Sequence, residues 1–139
     1  MSRTYTTLLG DGAHIRTVNV TSEGVQSSVR GPRGLQSVAG QPAVVVTSPV
    51  GIVTSVEWAL DGRTDRPGDL PAKLRFHPEE AYLKYVLWYK GGEIHRDAGF
   101  AACELGEDGR WVRRARYLQG EKVGDDEHYA DSAHVAYTV

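Results

Sequence analysis

Histidine and carboxylate side chains, which can bind a metal ion or transfer protons, occur together at two places in the sequence. One group is His77, Glu79 and Glu80, and the other lies near the C-terminus. The C-terminal group consists of Asp125, Asp126, Glu127, His128, Asp131 and His134. Neither group has the spacing of a known metal-binding helix or loop. Because acidic clusters on small proteins are usually solvated, the sequence predicts no metal site and no cofactor.

The triplet His95-Arg96-Asp97 matches the start of a protein-kinase catalytic loop, but the other kinase motifs are absent from the sequence. An arginine and an acid in a tight loop can instead pair with each other and bind backbone carbonyls. We expect this structural role for Arg96 and Asp97. The sequence also has no nucleophile elbow and no glycine-rich phosphate loop, so it predicts a protein that is not an enzyme.

Aromatic side chains are numerous in the middle of the chain, with Trp58, Trp88 and Trp111 accompanied by several tyrosines. If residues 82–89 form a strand, Tyr85 and Tyr89 lie on one face and Trp88 on the other. Either these rings pack in the core, or one face is open and binds a partner. The candidate partner-binding residues are Tyr85, Trp88, Tyr89, Trp111, Arg66, His95 and Arg96.

Composition excludes several classes of function. The net charge is −2 and charged residues make up 24% of the 139 residues, which argues against nucleic acid as a partner. The N-terminus lacks the apolar region of a signal peptide and no segment is long enough to span a membrane, so the sequence predicts a cytoplasmic protein with no membrane partner. The single cysteine, Cys103, has apolar neighbours and is expected to be buried.

One local basic run departs from this balance, and it surrounds Trp111. The run consists of Arg110, Arg113, Arg114 and Arg116. It could attract phosphates, but we interpret it as an edge strand whose charges prevent aggregation.

Internal repeats are the strongest signal in the sequence. The segments 58–63 and 88–93 are variants of one phrase, in which an aromatic residue precedes a glycine by four positions. Arg66 and Arg96 follow their glycines at the same offset. The anchoring glycines are Gly34, Gly62, Gly92 and Gly120, at spacings of 28, 30 and 28 residues. Such regular spacing predicts about four copies of one structural unit.

Each unit is predicted to contain two strands joined by turn residues. The predicted pairs are 43–46 with 52–58, 72–76 with 82–89, and 101–105 with 110–117. A helix over Pro78–Tyr89 is the competing prediction, because proline and acidic residues suit a first helical turn. The fold class is therefore mainly β, an antiparallel meander of 28–30-residue hairpins forming a single domain. Residues 34–139 are the repeat region.

Residues 1–33 are a polar N-terminal arm with strand candidates at 14–20 and 25–29. This arm is too polar to build its own core. It must pair with the repeats, lie on a partner or be loose.

The repeat phrase resembles the MORN-like short repeats of viral and bacterial proteins, which read roughly Trp-Tyr-x-Asn-Gly-Lys-x-His-Arg-x-Asp-Gly-Pro-Ala. Residues 88–101 follow the pattern closely, with Phe100 in place of proline. Residues 58–72 follow it with Asp65 in place of histidine, and coverage extends weakly over residues 30–125. The resemblance implies a meander of hairpins used for binding and scaffolding, and it implies no catalytic residues.

These observations favour a non-enzymatic protein-interaction or assembly component that acts through sheet edges and aromatic contacts. Its partner is expected to be another protein or a second copy of the chain, and a place in a virion is compatible with this reading. The first alternative is an inhibitor or antitoxin-like module that binds one specific protein. The second is a small metal-dependent hydrolase that uses the C-terminal acid and histidine group.

Overall fold

A computed structural model describes residues 2–127. This part of the chain is all β and contains no helix, which confirms the predicted antiparallel meander. No helix in the described part of the chain is therefore long and apolar enough to cross a membrane. The strands are β1 Arg3–Leu8, β2 Ile15–Thr21, β3 Gly24–Gly31, β4 Gly34–Leu35, β5 Val44–Thr47, β6 Val53–Glu57, β7 Ala59–Leu60, β8 Arg63–Thr64, β9 Lys73–Phe76, β10 Leu83–Leu87, β11 Tyr89–Lys90, β12 Glu93–Ile94, β13 Ala102–Leu105, β14 Trp111–Leu118 and β15 Glu121–Glu127.

The long strands form one antiparallel sheet in the order β1-β2-β3-β5-β6-β9-β10-β13-β14-β15, with β4 paired to β3. Two short hairpins, β7–β8 and β11–β12, interrupt this path. The order follows the chain, because each β-rich run pairs with the next one across a short turn.

The core lies on one face of this sheet. Val56, Leu74, Val86 and Cys103 are direct neighbours on consecutive strands, so their side chains share that face. Val86 and Cys103 are completely buried, and the expectation of a buried cysteine is confirmed. The three tryptophans belong to the same cluster. Their burial shows that the rings serve the core.

The N-terminal arm is part of the sheet. Its two predicted strands are β2 and β3, and β3 pairs with β5 of the repeat region, so the arm is tied to the repeats. The position between residues 33 and 34, where the repeat region was expected to begin, lies inside the β3–β4 hairpin. The sequence did not predict β1, half of whose residues are threonine.

Residues 78–89 do not form the competing helix. After Pro78 the chain makes a turn, and the His77 Nδ1 atom accepts the amide hydrogens of Glu79 and Glu80 at 3.3 and 3.0 Å. The His77 ring also stacks on Tyr82 with centroids 5.0 Å apart. The histidine therefore closes the turn that leads into β10.

The basic run does not lie on an edge strand, as the sequence suggested. β14, which contains Arg113, Arg114 and Arg116, pairs with β13 on one side and with β15 on the other. Arg114 shares the core face with Cys103, and its guanidinium carbon lies 3.9 Å from the centroid of Trp111. The arginine therefore packs on the core ring, and β15 forms the edge.

Candidate functional site

Two features of the molecule are candidates for function: the array of glycine turns and the outer edges of the sheet. The turns at Gly62 and Gly92 close β7–β8 and β11–β12, with φ angles of 85° and 89° that L side chains rarely adopt. At Gly62 a Cβ atom would also lie 2.7 Å from the Arg33 carbonyl oxygen of the preceding turn. Glycine at this position therefore allows successive turns to approach each other closely.

Backbone hydrogen bonds join the turns into a stack. The amides of the last three anchoring glycines each donate to a carbonyl of the preceding unit. The pairs are Gly62 to Leu35 at 2.8 Å, Gly92 to Thr64 at 3.0 Å and Gly120 to Ile94 at 2.9 Å. The regular glycine spacing of the sequence is thus the period of this stack.

A side chain of each of the first three units accepts a second amide hydrogen from the next turn. The acceptor follows its own glycine by two or three residues, and the donor directly precedes the next glycine. The pairs are Gln36 Oε1 with Asp61 at 2.9 Å, Asp65 Oδ2 with Gly91 at 2.8 Å, and His95 Nδ1 with Gln119 at 2.8 Å. Asp65 and His95 therefore perform the same task.

This bond determines which nitrogen of the neutral His95 ring carries the hydrogen. Because Nδ1 accepts an amide hydrogen, the ring proton lies on Nε2, which donates to Asp97 Oδ1 at 2.7 Å. The hydrogen bond from His95 lowers the pKa of the Asp97 carboxyl below its ordinary value. His95 is a candidate partner residue, but both its ring nitrogens are engaged within the turn stack.

Replacing His95 with glutamine is expected to return the pKa of Asp97 toward its ordinary value, as measured by NMR titration of the carboxyl carbon. The ionised Asp97 stabilises the wild-type fold above the pKa of an unfolded-chain aspartate, and this effect is lost as pH falls through the lowered pKa. Glutamine keeps an acceptor for the Gln119 amide, as Gln36 does for the Asp61 amide two repeats earlier. Asp11, whose pKa is lowered by the Ala13 amide, is the control and should not change. An Asp97 that titrates identically in both proteins would contradict the assignment.

Each repeat arginine stacks on the tryptophan that lies eight residues before it, across a short hairpin. The guanidinium carbon lies 3.8 Å from the ring centroid in the Arg66–Trp58 pair and 4.0 Å in the Arg96–Trp88 pair. Both arginines donate from Nη1 to a carbonyl later in their own loop, Arg66 to Pro71 and Arg96 to Phe100, at 3.2 Å in each case. Burial lowers the pKa of Arg66. The arginines thus seal the open side of the tryptophans.

The indole nitrogens bind the polar loop that precedes each tryptophan along the chain. Trp58 Nε1 donates to the Gly40 carbonyl at 3.0 Å, and Trp88 Nε1 donates to the Asp69 carbonyl at 3.2 Å. The Asp69 carboxylate also binds Arg96 Nε and Nη2, at 3.0 and 3.2 Å. Arg96 was expected to pair with the acid beside it, but that acid, Asp97, binds His95. The arginine instead joins two repeats.

A groove of about 630 Å³ lies between the loops of the second and third units. Its polar residues include the bound pairs Arg96–Asp69 and His95–Asp97, and Leu60 and Leu70 supply apolar walls. A smaller groove, of about 250 Å³, lies one repeat earlier beside Trp58 and Arg66. The grooves therefore recur with the repeats, and the ion pairs named here stabilise the loops around them.

The aromatic candidates divide into two groups. Trp88 and Trp111 are only 4% and 7% exposed, so their burial removes them from the candidate contact surface. Tyr85 and Tyr89 are half-buried and retain accessible surface. Burial and the nearby carboxylate of Glu57 raise the pKa of the Tyr89 hydroxyl. Of these four aromatic candidates, only the two tyrosines keep enough accessible surface to contact a partner.

The His, Asp and Glu groups that could have supplied metal ligands do not come together in the described part of the chain. No group of three His, Cys, Asp or Glu side chains within residues 2–127 has a geometry that could hold a metal ion. Asp125 of the C-terminal group binds Lys122 at 2.6 Å. His128, Asp131 and His134 lie outside the described residues.

The two outer strands of the sheet differ in how open they are. β15 carries charges at Glu121, Lys122 and Asp125, and its pairing with β14 is interrupted by a register shift. β1 has one charge, Arg3, no proline, an uninterrupted register with β2 and exposed residues throughout. Charge and irregularity are common protections of a sheet edge, so β1 is the less protected edge.

The ladder pattern shows which groups β1 presents outward. The Leu9 amide donates to the His14 carbonyl, so residues 9 and 14 form a hydrogen-bonded pair at the base of the β1–β2 hairpin. Hydrogen-bonded and non-hydrogen-bonded pairs alternate along an antiparallel ladder. Thr4, Thr6 and Leu8 therefore direct their amide and carbonyl groups away from β2. Within residues 2–127 no other strand pairs with this side of β1.

The sheet order, the stacked glycine turns and the repeated tryptophan–arginine pairs define the chain as an antiparallel β-hairpin repeat protein. Comparison with protein-family models, with curated proteins and with solved structures shows no match to this chain.

Proposed function

We propose that this protein is a non-enzymatic interaction and assembly module that accepts an added β-strand at the outer edge of β1. The single observation that carries the proposal is the contrast between this regular, almost uncharged edge and the charged edge of β15. The resemblance to MORN-like repeats of viral and bacterial proteins supports the proposal, because scaffolding is the role associated with such repeats. A cytoplasmic location and a place in a virion both fit the proposal.

Strand addition suits the chemistry of β1. Every second residue offers an amide and a carbonyl to a partner strand, and each new backbone hydrogen bond contributes about 0.5–1.5 kcal/mol. Neither face of β1 is buried, because all of its residues are exposed. A partner strand would therefore extend the sheet without displacing any packed side chain.

Replacing Thr6 with proline is expected to reduce the assembled mass of the full chain toward that of a monomer, measured by light scattering over a range of protein concentrations. Proline removes one outward amide, and the residue before it keeps an extended conformation. Thr6→Ala retains the amide and is the matched control, so it should assemble like the wild type. A wild-type chain that stays monomeric at every concentration, or assembly unchanged by Thr6→Pro, would contradict the proposal.

A further inference from the structure

The identity of the strand that β1 accepts can be inferred from β1 itself. We infer that it is β1 of a second copy, paired antiparallel about a two-fold axis that passes beside Tyr5. The inference rests on the proposed function, since it requires the β1 edge to accept a strand. It goes further by identifying the partner and the register, and by requiring assembly to stop at two chains.

Charge distribution favours a second copy over other strands of this protein. Arg3 is the only charge on β1 and lies at one end of it, so in antiparallel pairing the two arginines stand at opposite ends of the new ladder. Two copies of β15 would instead bring acidic strands together, which is unfavourable. Pairing of β1 with β15 of another copy would leave a free edge at each end and grow without limit.

The outward groups restrict the register. Thr4, Thr6 and Leu8 must occupy hydrogen-bonded positions, because their amides and carbonyls point toward the partner. With the axis at Tyr5, Thr4 lies opposite Thr6 of the second copy and Ser2 lies opposite Leu8. An axis at Thr6 is also compatible with the alternation, but it places Tyr5 opposite Thr7 and leaves Ser2 unpaired.

Side-chain pairs distinguish these two registers. With the axis at Tyr5, the two Tyr5 rings face each other at a non-hydrogen-bonded position, where side chains approach most closely. Tyr5 is 52% exposed, so its ring has surface to bury in such a pair. Threonine pairs flank it, and both threonines and aromatic residues form favourable cross-strand pairs. Tyr5 is therefore the residue of β1 that gains most from a second copy.

A charge-swap experiment at residue 5 tests both the partner and the axis. Tyr5→Lys and Tyr5→Glu each place like charges directly opposite one another, so each variant alone is expected to dissociate roughly tenfold more readily than the wild type. An equal mixture should form a heterodimer with the affinity restored. The readout is native mass spectrometry at low salt, which keeps the charge effect unscreened and resolves the two variants by mass.

A second test of the register uses the variants Thr7→Lys and Thr7→Glu. With the axis at Tyr5, residue 7 faces Arg3 of the second copy, so lysine should weaken the wild-type dimer and glutamate should strengthen it. Because Tyr5 and Thr7 are exposed, these changes leave the packed part of the sheet intact. Circular dichroism of each variant should match that of the wild type.

The possible failures are distinguishable. A dimer that Thr6→Pro disrupts but that residue 5 charges do not affect would overturn the axis and leave the proposed function standing. Assemblies larger than two chains would overturn the two-fold inference in favour of β1–β15 pairing. A monomer at all concentrations would overturn both the inference and the proposed function.

Discussion

Replacing Trp88 with alanine is expected to lower the free energy of unfolding by about 3–5 kcal/mol, the range for removing a large aromatic side chain from a core. Trp88 is 4% exposed, Arg96 covers its ring, and its indole nitrogen binds the Asp69 carbonyl of the preceding loop. Small domains have total stabilities of about 5–15 kcal/mol, so this loss approaches complete unfolding. Urea denaturation followed by circular dichroism measures it.

The conservative control is Trp88→Phe. Phenylalanine keeps a ring under Arg96 but cannot donate to Asp69, so we expect it to retain a large part of the stability lost in the alanine variant. Tyr85→Ala provides a second control at a half-buried position, next to the core residue Val86 on β10 and therefore on the face of the sheet opposite the core. A Trp88→Ala protein that loses no more stability than Tyr85→Ala would contradict the central position of this ring.

Replacing Arg96 with alanine is expected to lower the free energy of unfolding by about 2–3 kcal/mol. Three interactions are lost together: the stack on Trp88, the hydrogen bond to the Phe100 carbonyl and the two-atom contact with Asp69. The stack contributes about 0.5–2 kcal/mol. The ion pair contributes about 0.2–1 kcal/mol, because Asp69 is 64% exposed and solvent screens the charges. Thermal and urea unfolding measure the sum.

Arg66→Ala is the matched control that this chain provides. Arg66 has the same stack and the same kind of carbonyl bond, but the loop position that holds Asp69 in the next unit corresponds to Gly40 here. We therefore expect Arg66→Ala to lower the free energy of unfolding less than Arg96→Ala does. The difference should be about the contribution of the Arg96–Asp69 ion pair. Similar losses in the two variants would show that Asp69 contributes nothing.

A double-mutant cycle isolates the contact between repeats. Asp69→Asn is preferable to alanine, because Asp69 has a φ of 54° and asparagine tolerates this left-handed conformation. The coupling between Arg96→Ala and Asp69→Asn is expected to be about 0.5–1 kcal/mol. Additive losses would mean that Arg96 acts through Trp88 and Phe100 alone.

Local patterns in the sequence were sufficient to predict the main strands. Runs of β-branched residues around Thr47–Gly51 and the Asp108-Gly109 turn predicted the hairpins β5–β6 and β13–β14, which the structure confirms. β1 was missed because Thr4 to Thr7 show little hydrophobic alternation, and its pairing with β2 leaves every residue of the strand exposed. β1 forms because β2, which follows it across a turn, supplies its hydrogen-bond partners.

The equivalent offsets of Arg66 and Arg96 correctly indicated that the two residues perform equivalent tasks. Their partners could not be predicted, because the ring that each covers lies eight residues earlier, across a hairpin, and Asp69 lies 27 residues before Arg96. The sequence of this loop suggested that Arg96 pairs with the neighbouring Asp97. In the structure Arg96 pairs with Asp69 instead.

The sequence by itself determined the repeating unit of this protein. Glycines at regular intervals, each followed by a polar loop, reverse the chain and bring β-rich segments together. The sequence shows this directly, because turn formation depends on neighbouring residues. The tertiary structure decided which groups remain available. Whether a tryptophan is covered, or a strand edge is open, depends on loops and strands far away in the chain. For that reason Trp88 and Trp111, which the sequence offered as contact residues, belong to the core, and the edge most open to a partner is a threonine-rich strand.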